Sequence, residues 1–214
     1  MTKFRFSEIL DQVKSRGFAK CLRIAWGHFI FRKEKKIIAP FYLDRPFLDI
    51  QPPEGINIRD ALIDDVNKIQ DIFVGSHWYR SKDRLYQWIS DGEPVLVAED
   101  NGQIIGYMAG TLKIQLRDRL LLEGVTKAMN VNENDCWGGD AFVLKSYRGK
   151  HIYPALGIAF AQRAKQAGKR RILGSISLNN HASRAAHRRF GCIEECELSI
   201  WRILFLKGSR SKAV

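Results

Sequence analysis

A chain of 214 residues, of which 45% are hydrophobic, is long enough for one domain with an extension and apolar enough for a real core. No run approaches the roughly 18 apolar residues of a transmembrane helix, and the charged start of the chain argues against a secretory signal. The cysteines lack metal-site spacing, so we expect reduced thiols, a cytoplasmic protein and no bound metal. They are Cys21, Cys136, Cys192 and Cys196.

The net charge of +12 is concentrated at the two ends of the chain. Residues 1–38 hold ten Lys and Arg against three acids, and the last fourteen residues hold four and no acid. This distribution favours a polyanionic partner near the termini, either a membrane surface, a nucleic acid or an anionic substrate. A solubilising basic surface explains it equally well. Nucleic acid is disfavoured because no RNA- or DNA-binding motif is visible.

Residues 1–38 are predicted to be helical, because apolar residues from Phe6 to Phe29 recur at steps of three and four. Basic residues fall largely off that stripe, which is typical of a helix lying at a membrane interface. The same stripe would also suit packing on the rest of the chain or on a second subunit. Peripheral contact with the inner membrane surface and a homodimer therefore both stay open.

The four prolines in residues 37–55 predict an extended linker with one short strand at most. From Ile56 the periodicity predicts the element order β-α-α-β-β-β-α-β-α-β, a mixed α/β sheet. Its clearest part is a hairpin around Asp100-Asn-Gly-Gln. The predicted division is a helical extension and linker at 1–55, a domain at 56–206 and a basic tail at 207–214. The other expected elements are helices at 61–74, 76–90, 154–167 and 181–190, strands at 140–144 and 171–178, a strand or hairpin at 192–205, and an ambiguous stretch at 112–136.

The stretch FVLKSYRGKHIYPALGIAFAQRAKQAG predicts a strand, a basic loop at Arg148-Gly149-Lys150 and a helix. Successive backbone N–H groups in such a loop and in the first helical turn can point at one place, and the helix dipole adds to their attraction for an anion. Pro154 fits the first turn of this helix and Gly168 ends it. The stretch therefore predicts a phosphate site.

A second stretch, SISLNNHASRAAHRRFGC, places Asn180 where it would cap the next helix. Together the two stretches resemble the GNAT acetyltransferases over residues 56–206. The first resembles that family's acyl-coenzyme A motif Gln/Arg-x-x-Gly-x-Gly/Ala, with Arg148 in the first position and His151 and Tyr153 at the two small positions. The second resembles Asn-x-x-Ala-x-x-x-Tyr-x-x-x-Gly-Phe. Its matching positions are Asn180, Ser183, His187, Gly191 and Cys192.

The resemblance implies a mixed sheet whose fourth and fifth strands splay apart around the pantetheine arm of acetyl-CoA. It also implies direct transfer of the acetyl group to a primary amine. Backbone groups of Phe142 and Leu144 would bind pantetheine, and an N–H near Val143 would hold the thioester oxygen. The remaining residues implied in coenzyme binding are Arg148, Gly149, Lys150, His151, Ile152, Tyr153, Asn180 and Ser183.

Such a reaction needs a neutral amine, a donor to the tetrahedral oxyanion and a proton for the departing thiolate. Asp140 is the candidate base, although it could instead cap the adjacent glycines. His187 is the candidate acid, since a histidine near its reference pKa of roughly 6.5 can donate a proton. The alternative is a basic helix face shared with Arg184 and Arg188, which could contact the coenzyme's 3′-phosphate. Tyr153 is a second candidate acid.

The acceptor cannot be inferred from the sequence. By resemblance its site lies near the first two helices, where aromatic residues could line a pocket or pack in the core. One alternative function is transfer of a longer acyl group from acyl-CoA or an acyl-carrier protein, and another is a non-catalytic acyl-CoA-binding module. The aromatic residues are His77, Trp78, Tyr79, Tyr86 and Trp88.

Overall fold

The computed structural model describes residues 31–72, 82–114, 118–203 and 206–214. The strands are β1 Phe31–Tyr42, β2 Ile56–Asp60, β3 Val95–Asp100, β4 Gln103–Thr111, β5 Asp135–Val143, β6 Arg171–Ser177, β7 Cys196–Ile203 and β8 Leu206–Ala213. The helices are α1 Asp65–Asp71, α2 Lys82–Ser90, α3 Arg119–Met129, α4 Ile152–Gln166 and α5 His181–Arg189, with a 3-10 turn at Lys145–Tyr147. The strands form one mixed sheet in the order β2-β3-β4-β5-β6-β1-β7-β8, which confirms the expected fold class.

Strand β3 begins with the unbroken apolar run Val95–Ala98, and because successive side chains point to opposite faces, both faces of the sheet carry a core. Leu96 and Ala98 of β3 face one side, where they join the cluster that contains Leu156 of α4. Val95 and Val97 face the other side, in the cluster with Val66 of α1. A third cluster packs α3 against β7 and the middle of the sheet. The two faces are therefore covered by different helices.

The turn between β3 and β4 has the geometry that its sequence predicts. Asn101 and Gly102 both have positive φ, at 47° and 81°, as a type I′ hairpin turn requires. The two strands pair directly on either side of it. The expected hairpin is confirmed.

Strand β1 lies between β6 and β7 and runs antiparallel to both. The expectation of a helix is therefore wrong for residues 31–38, and the linker predicted from residue 37 begins only after Tyr42. Ile37, Ile38 and Ala39 are almost fully buried, and the first two are β-branched residues that suit a pleated, packed surface. The helix predicted for residues 1–30 lies outside the described residues, and the domain boundary at residue 56 stays a prediction.

Strand β8 corrects a second expectation, because the residues expected to form a basic tail pair with β7 along their whole length. The ambiguous stretch before β5 contains α3. Asp118 caps that helix by accepting from the Leu121 N–H at 3.2 Å, and Asn130 ends it with φ 46°. Within the described residues, no helix combines the length and the apolar character needed to cross a membrane.

Candidate active site

Strands β5 and β6 are parallel neighbours over only three residue pairs, which end at Trp137 and Leu173. Beyond them, among the described strands, β5 pairs only with β4, and β6 pairs only with β1. Gly138 and Gly174 occupy the point of divergence, where a Cβ on Gly174 would lie 3.9 Å from the Gly138 carbonyl oxygen. The two central strands thus form a fork, and the predicted splay is confirmed.

The backbone at the end of β5 distinguishes Val143 from Leu144. The Leu144 N–H donates to the Ile105 carbonyl of β4 at 2.8 Å, and the Leu144 carbonyl accepts from the Tyr147 N–H at 2.9 Å. Both backbone groups of Leu144 are therefore bonded within the protein, which argues against its predicted pantetheine contact. Because neighbouring strand residues point their backbone groups to opposite sides, those of Val143 face the fork.

Asp140 lies on β5 at an irregularity in the β4–β5 ladder. The register shifts between Met108, opposite Ala141, and Gly110, opposite Gly138. Two residues of β5 are thus matched by one residue of β4, which is the count of a β-bulge. A bulge changes the direction in which side chains project, and this one includes Asp140, whose side chain is half-buried.

The start of α4 presents a row of backbone N–H groups. In the described part of the chain, no backbone carbonyl accepts from the N–H groups of residues 149–153, and Pro154 has none to offer. Gly149 and His151 have φ of 82° and 60°, so the loop alternates between left-handed and ordinary backbone. Such alternation turns successive N–H groups into an anion-binding concavity, here at a helix N-terminus.

The side chains around this row are basic or neutral. The first turn of α4 contains no acidic residue. Arg148 is exposed and donates from Nε to the Val143 carbonyl at 3.1 Å, with its guanidinium over the Phe142 ring. Lys150 is exposed and lies over the Tyr147 ring, and His151 is exposed. An anion at the loop would meet positive charge and little obstruction.

Tyr153 and His187 meet where α4 approaches α5. The Tyr153 hydroxyl lies 2.9 Å from His187 Nε2, and His187 Nδ1 lies 2.8 Å from the Ser183 carbonyl oxygen. A carbonyl can only accept, so Nδ1 carries the proton and Nε2 accepts from the tyrosine O–H. Three of the predicted site residues are thus joined in one hydrogen-bonded chain.

Burial sets the protonation states of this pair. It is the largest influence that lowers the pKa of His187, outweighing the opposing effects of the Ser183 carbonyl and Glu194. Burial also raises the pKa of Tyr153, with a smaller contribution from Cys192. At neutral pH the imidazole is therefore neutral and the phenol keeps its proton. This argues against His187 as the acid and leaves Tyr153 as the group with a proton to offer.

Phe190 completes the contact between the helices, and sequence reasoning missed it. Its ring centroid lies 5.8 Å from that of Tyr153 and 5.4 Å from that of His187. Gly157 of α4 lies beside the same ring, where a Cβ would be in ordinary van der Waals contact at 3.4 Å. It follows Tyr153 by one helical turn on the same face of α4.

The other residues predicted from the second motif lie on α5. Asn180 caps the helix as expected, accepting from the Ser183 N–H at 3.1 Å. Arg184 binds Glu194 through two nitrogens, at 2.9 and 2.6 Å, and Arg188 lies 3.7 Å from the same carboxylate. Arg184 is therefore engaged within the protein, whereas the Arg188 side chain is 57% exposed.

The acceptor side is described only in part. His77, Trp78 and Tyr79 lie outside the described residues. Tyr86 is exposed, and Trp88 packs against the core beneath α1 and α2. Across the described ranges, no group of three or more His, Cys, Asp or Glu side chains could hold a metal ion.

Comparison with known structures shows the fold. The chain is 18% identical to a GCN5-related N-acetyltransferase from Sphaerobacter thermophilus, with a TM-score of 0.57 over 92% of this chain and 57% of that one. A Drosophila protein gives 14% identity and a TM-score of 0.56 over 94% of this chain and 57% of that one. Ribosomal-protein-alanine N-acetyltransferase from Brucella melitensis gives 22% identity and a TM-score of 0.52, covering 74% of this chain and 99% of that one. The chain thus spans little more than half the length of the first two.

Comparison of sequences identifies the family. A search of curated proteins gives no match. The model of the acetyltransferase (GNAT) family matches residues 63–192, which is more than half of the chain. The matched range includes the fork, the row of backbone N–H groups at residues 149–153 (the amide row) and the α4–α5 contact. The chain therefore belongs to the acetyltransferase (GNAT) family and is an acyltransferase.

Proposed function

We propose that the protein transfers an acetyl group from acetyl-CoA to a primary amine by direct attack of the amine on the thioester. The observation that carries this proposal is the combination of a fork between β5 and β6 with a row of unbonded amides just after β5. A coenzyme A thioester has a diphosphate at one end of a long arm and a reactive carbonyl at the other. The amide row suits the diphosphate, and the fork suits the arm.

The charge of the loop supports the same donor. Arg148, Lys150 and the dipole of the 15-residue helix α4 all favour a polyanion at residues 148–153. The larger side chains that replace the family's small residues do not oppose this fit. His151 is exposed, and Tyr153 reaches across to α5.

In the proposed reaction, the amine nitrogen attacks the thioester carbon and forms the new C–N bond. Val143 supplies a backbone N–H to the oxygen of the tetrahedral intermediate. Asp140 accepts the proton that the nitrogen must lose, directly or through water. Collapse of the intermediate breaks the C–S bond, which leaves an amide and a coenzyme A thiolate.

Tyr153 is the proposed hydrogen-bond donor to the departing sulfur. Its hydroxyl has one proton, so it must turn from His187 Nε2 to reach another acceptor. His187 is a positioning residue in this scheme, because it receives that proton in the resting state and holds the phenol at the α4–α5 contact. This replaces the expectation that His187 itself is the acid.

We place the reaction in the cytoplasm. Cys136, Cys192 and Cys196 are free and buried, as suits a reducing compartment. The membrane contact expected from residues 1–38 is also part of this proposal, now for the basic residues of 1–30, because residues 31–38 belong to β1.

The test is a donor-binding measurement followed by an activity screen with the full-length protein. Isothermal titration with acetyl-CoA should give saturable binding, and the melting temperature should rise with acetyl-CoA concentration. The screen should include polyamines, amino sugars and peptides with free amino termini, with release of free thiol as the readout. Absence of both binding and thermal stabilisation by any CoA ester would contradict the proposal.

The same measurements distinguish this proposal from two alternatives, a longer acyl donor and a non-catalytic binding module. If only long-chain acyl-CoA or a loaded acyl-carrier protein stabilises the protein, the acyl group is longer than acetyl. If acetyl-CoA binds but no amine in the screen releases thiol, the variant Tyr153→Phe decides between the readings. An active enzyme awaiting its acceptor should lose its slow hydrolysis of acetyl-CoA in that variant, whereas a binding module should show no hydrolysis in either form.

A further inference from the structure

Among the described residues, the edge of the sheet formed by β7, β8 and the first part of β1 is covered by a helix on one face only. Leu198 and Ile200 are fully buried beneath α3, and a Cβ on Gly124 of that helix would touch the Leu198 side chain. The opposite face projects away from α3. Among the described helices, none lies against it near the β7–β8 turn.

The uncovered face carries exposed apolar residues at its tip. Trp201, Ile203 and Leu206 are 38%, 47% and 69% exposed. Ile203 is paired with Leu206 and Trp201 with Gly208, so these side chains share one face of the ladder. The Trp201 ring lies over Gly208, where a Cβ would approach it to 2.7 Å.

Basic residues continue the same face away from the tip. Arg210 and Lys212 follow Gly208 on alternate positions of β8, and both are exposed. Lys33 of β1 is paired with Trp201 and Lys35 with Ser199. We call this surface the outer hairpin face, and it consists of Lys33, Lys35, Trp201, Ile203, Leu206, Arg210 and Lys212. In the described parts of β1, β7 and β8, one carboxylate, Glu197, lies on that face between Lys35 and Lys212.

We propose that the outer hairpin face docks on an anionic membrane surface. Exposed Trp, Ile and Leu side chains at a tip can enter the lipid headgroup region, and flanking Lys and Arg can bind lipid phosphates while their stems cover apolar surface. Each basic residue close to an anionic surface raises partitioning about fivefold. A second copy of the chain is a poorer occupant, because it would bring a face of the same positive charge.

The start of β1 supports the same occupant. Phe31 begins β1 directly opposite Ile203, beside the tip, and residues 1–30 precede it in the sequence. Their sequence holds six Lys and Arg against two acids. A basic stretch of sequence therefore directly precedes the strand that begins beside the exposed apolar tip, and an anionic surface would complement both.

Vesicle flotation of the full-length protein tests the proposal. The protein should float with vesicles of phosphatidylcholine and phosphatidylserine and stay in solution with phosphatidylcholine alone. The double variant Ile203→Ser/Leu206→Ser should bind the anionic vesicles at least tenfold more weakly, and Arg210→Gln/Lys212→Gln about 25-fold more weakly. Melting temperatures should be unchanged, since all four side chains are exposed.

Matched control variants remove the same groups elsewhere. Leu62→Ser removes an apolar residue that is 64% exposed near β2, and Lys127→Gln removes an exposed charge on α3. Both should float like the unmodified protein. The proposal is overturned if the unmodified protein stays in solution with anionic vesicles, or if Ile203→Ser/Leu206→Ser floats equally well. It is also overturned if these two changes only dissociate a dimer, or if an acidic carrier protein binds the face and vesicles do not.

Discussion

Arg171 stands directly opposite Asp135 in the short parallel ladder, and its guanidinium binds both carboxylate oxygens of Asp135, at 2.8 and 2.7 Å. A third hydrogen bond reaches the Met129 carbonyl at the end of α3. The Asp135 side chain is only 3% exposed. The pair therefore holds β5 and β6 together at the closed end of the fork.

Replacing Arg171 with Met should destabilise the protein by about 3–5 kcal/mol, because it leaves a buried carboxylate without its partner. Urea unfolding measures the loss. Arg163→Met is the matched control, since its pair with Asp60 is exposed on both sides and should contribute under about 1 kcal/mol. Equal losses of unfolding free energy in the two variants would contradict this prediction, because they would show that burial of Asp135 does not raise the cost of removing its partner.

Tyr153→Phe should lower kcat about 100-fold and leave KM for acetyl-CoA nearly unchanged, because it removes a donor to the leaving sulfur and keeps the ring. Steady-state thiol release measures both constants. Tyr147→Phe is the control, since that hydroxyl binds Asp100 at the β3–β4 turn. A Tyr153→Phe enzyme with normal kcat would remove this tyrosine from the mechanism.

His187 should make the free energy of unfolding depend on pH. Its folded pKa is lowered by burial, whereas in the unfolded chain it is about 6.5. Below pH ~6.5 the unfolded chain therefore binds a proton that the folded protein resists. The stabilising contribution of neutral His187 to the free energy of unfolding is therefore complete above pH ~6.5, and it is lost as the pH falls toward the pKa of the folded protein.

Urea unfolding between about pH 7 and pH 5.5 should show a shallower decline for His187→Gln than for the unmodified protein. His181→Gln, at an exposed position on the same helix, should keep the original decline. Parallel curves for His187→Gln and the unmodified protein would show that the imidazole protonates freely in the folded state.

Lys150→Gln should raise KM for acetyl-CoA several-fold with little change in kcat, because its charge acts on the bound donor before and after the chemical step. The difference should shrink as salt is added. Lys127→Gln on α3 should change neither constant. A fall in kcat without a change in KM would place Lys150 near the reacting atoms instead.

Local signals explain what the sequence could predict. The turn at Asn101-Gly102, the end of α4 at Gly168 and the cap at Asn180 each depend on a few neighbouring residues, and each is where the pattern predicts it. The second motif that indicated the family also begins at one of these local features, the cap at Asn180. The predicted order of elements from Ile56 to α5 agrees with the structure except for α3, which lies in the stretch that the pattern left ambiguous.

Long-range pairing explains what the sequence could not predict. Residues 31–38 resemble a continuation of a basic helix, and the residues after them resemble a linker, until β6 and β7, about 130 to 170 positions later, supply their ladder partners. The same holds for the contact of Tyr153 with His187, which depends on how closely α4 and α5 approach. Periodicity gives the face of a helix but not the neighbour that this face meets.

The central place of β1 has a consequence for biosynthesis. The strand leaves the ribosome early, yet the last of its two neighbours, β7, begins at Cys196. At about 5–20 residues per second, roughly ten to thirty seconds pass between these events. Ile37 and Ile38 have no native ladder partner until β6 is made and only one until β7 follows, so the nascent chain must carry these two apolar residues unpaired for most of that interval.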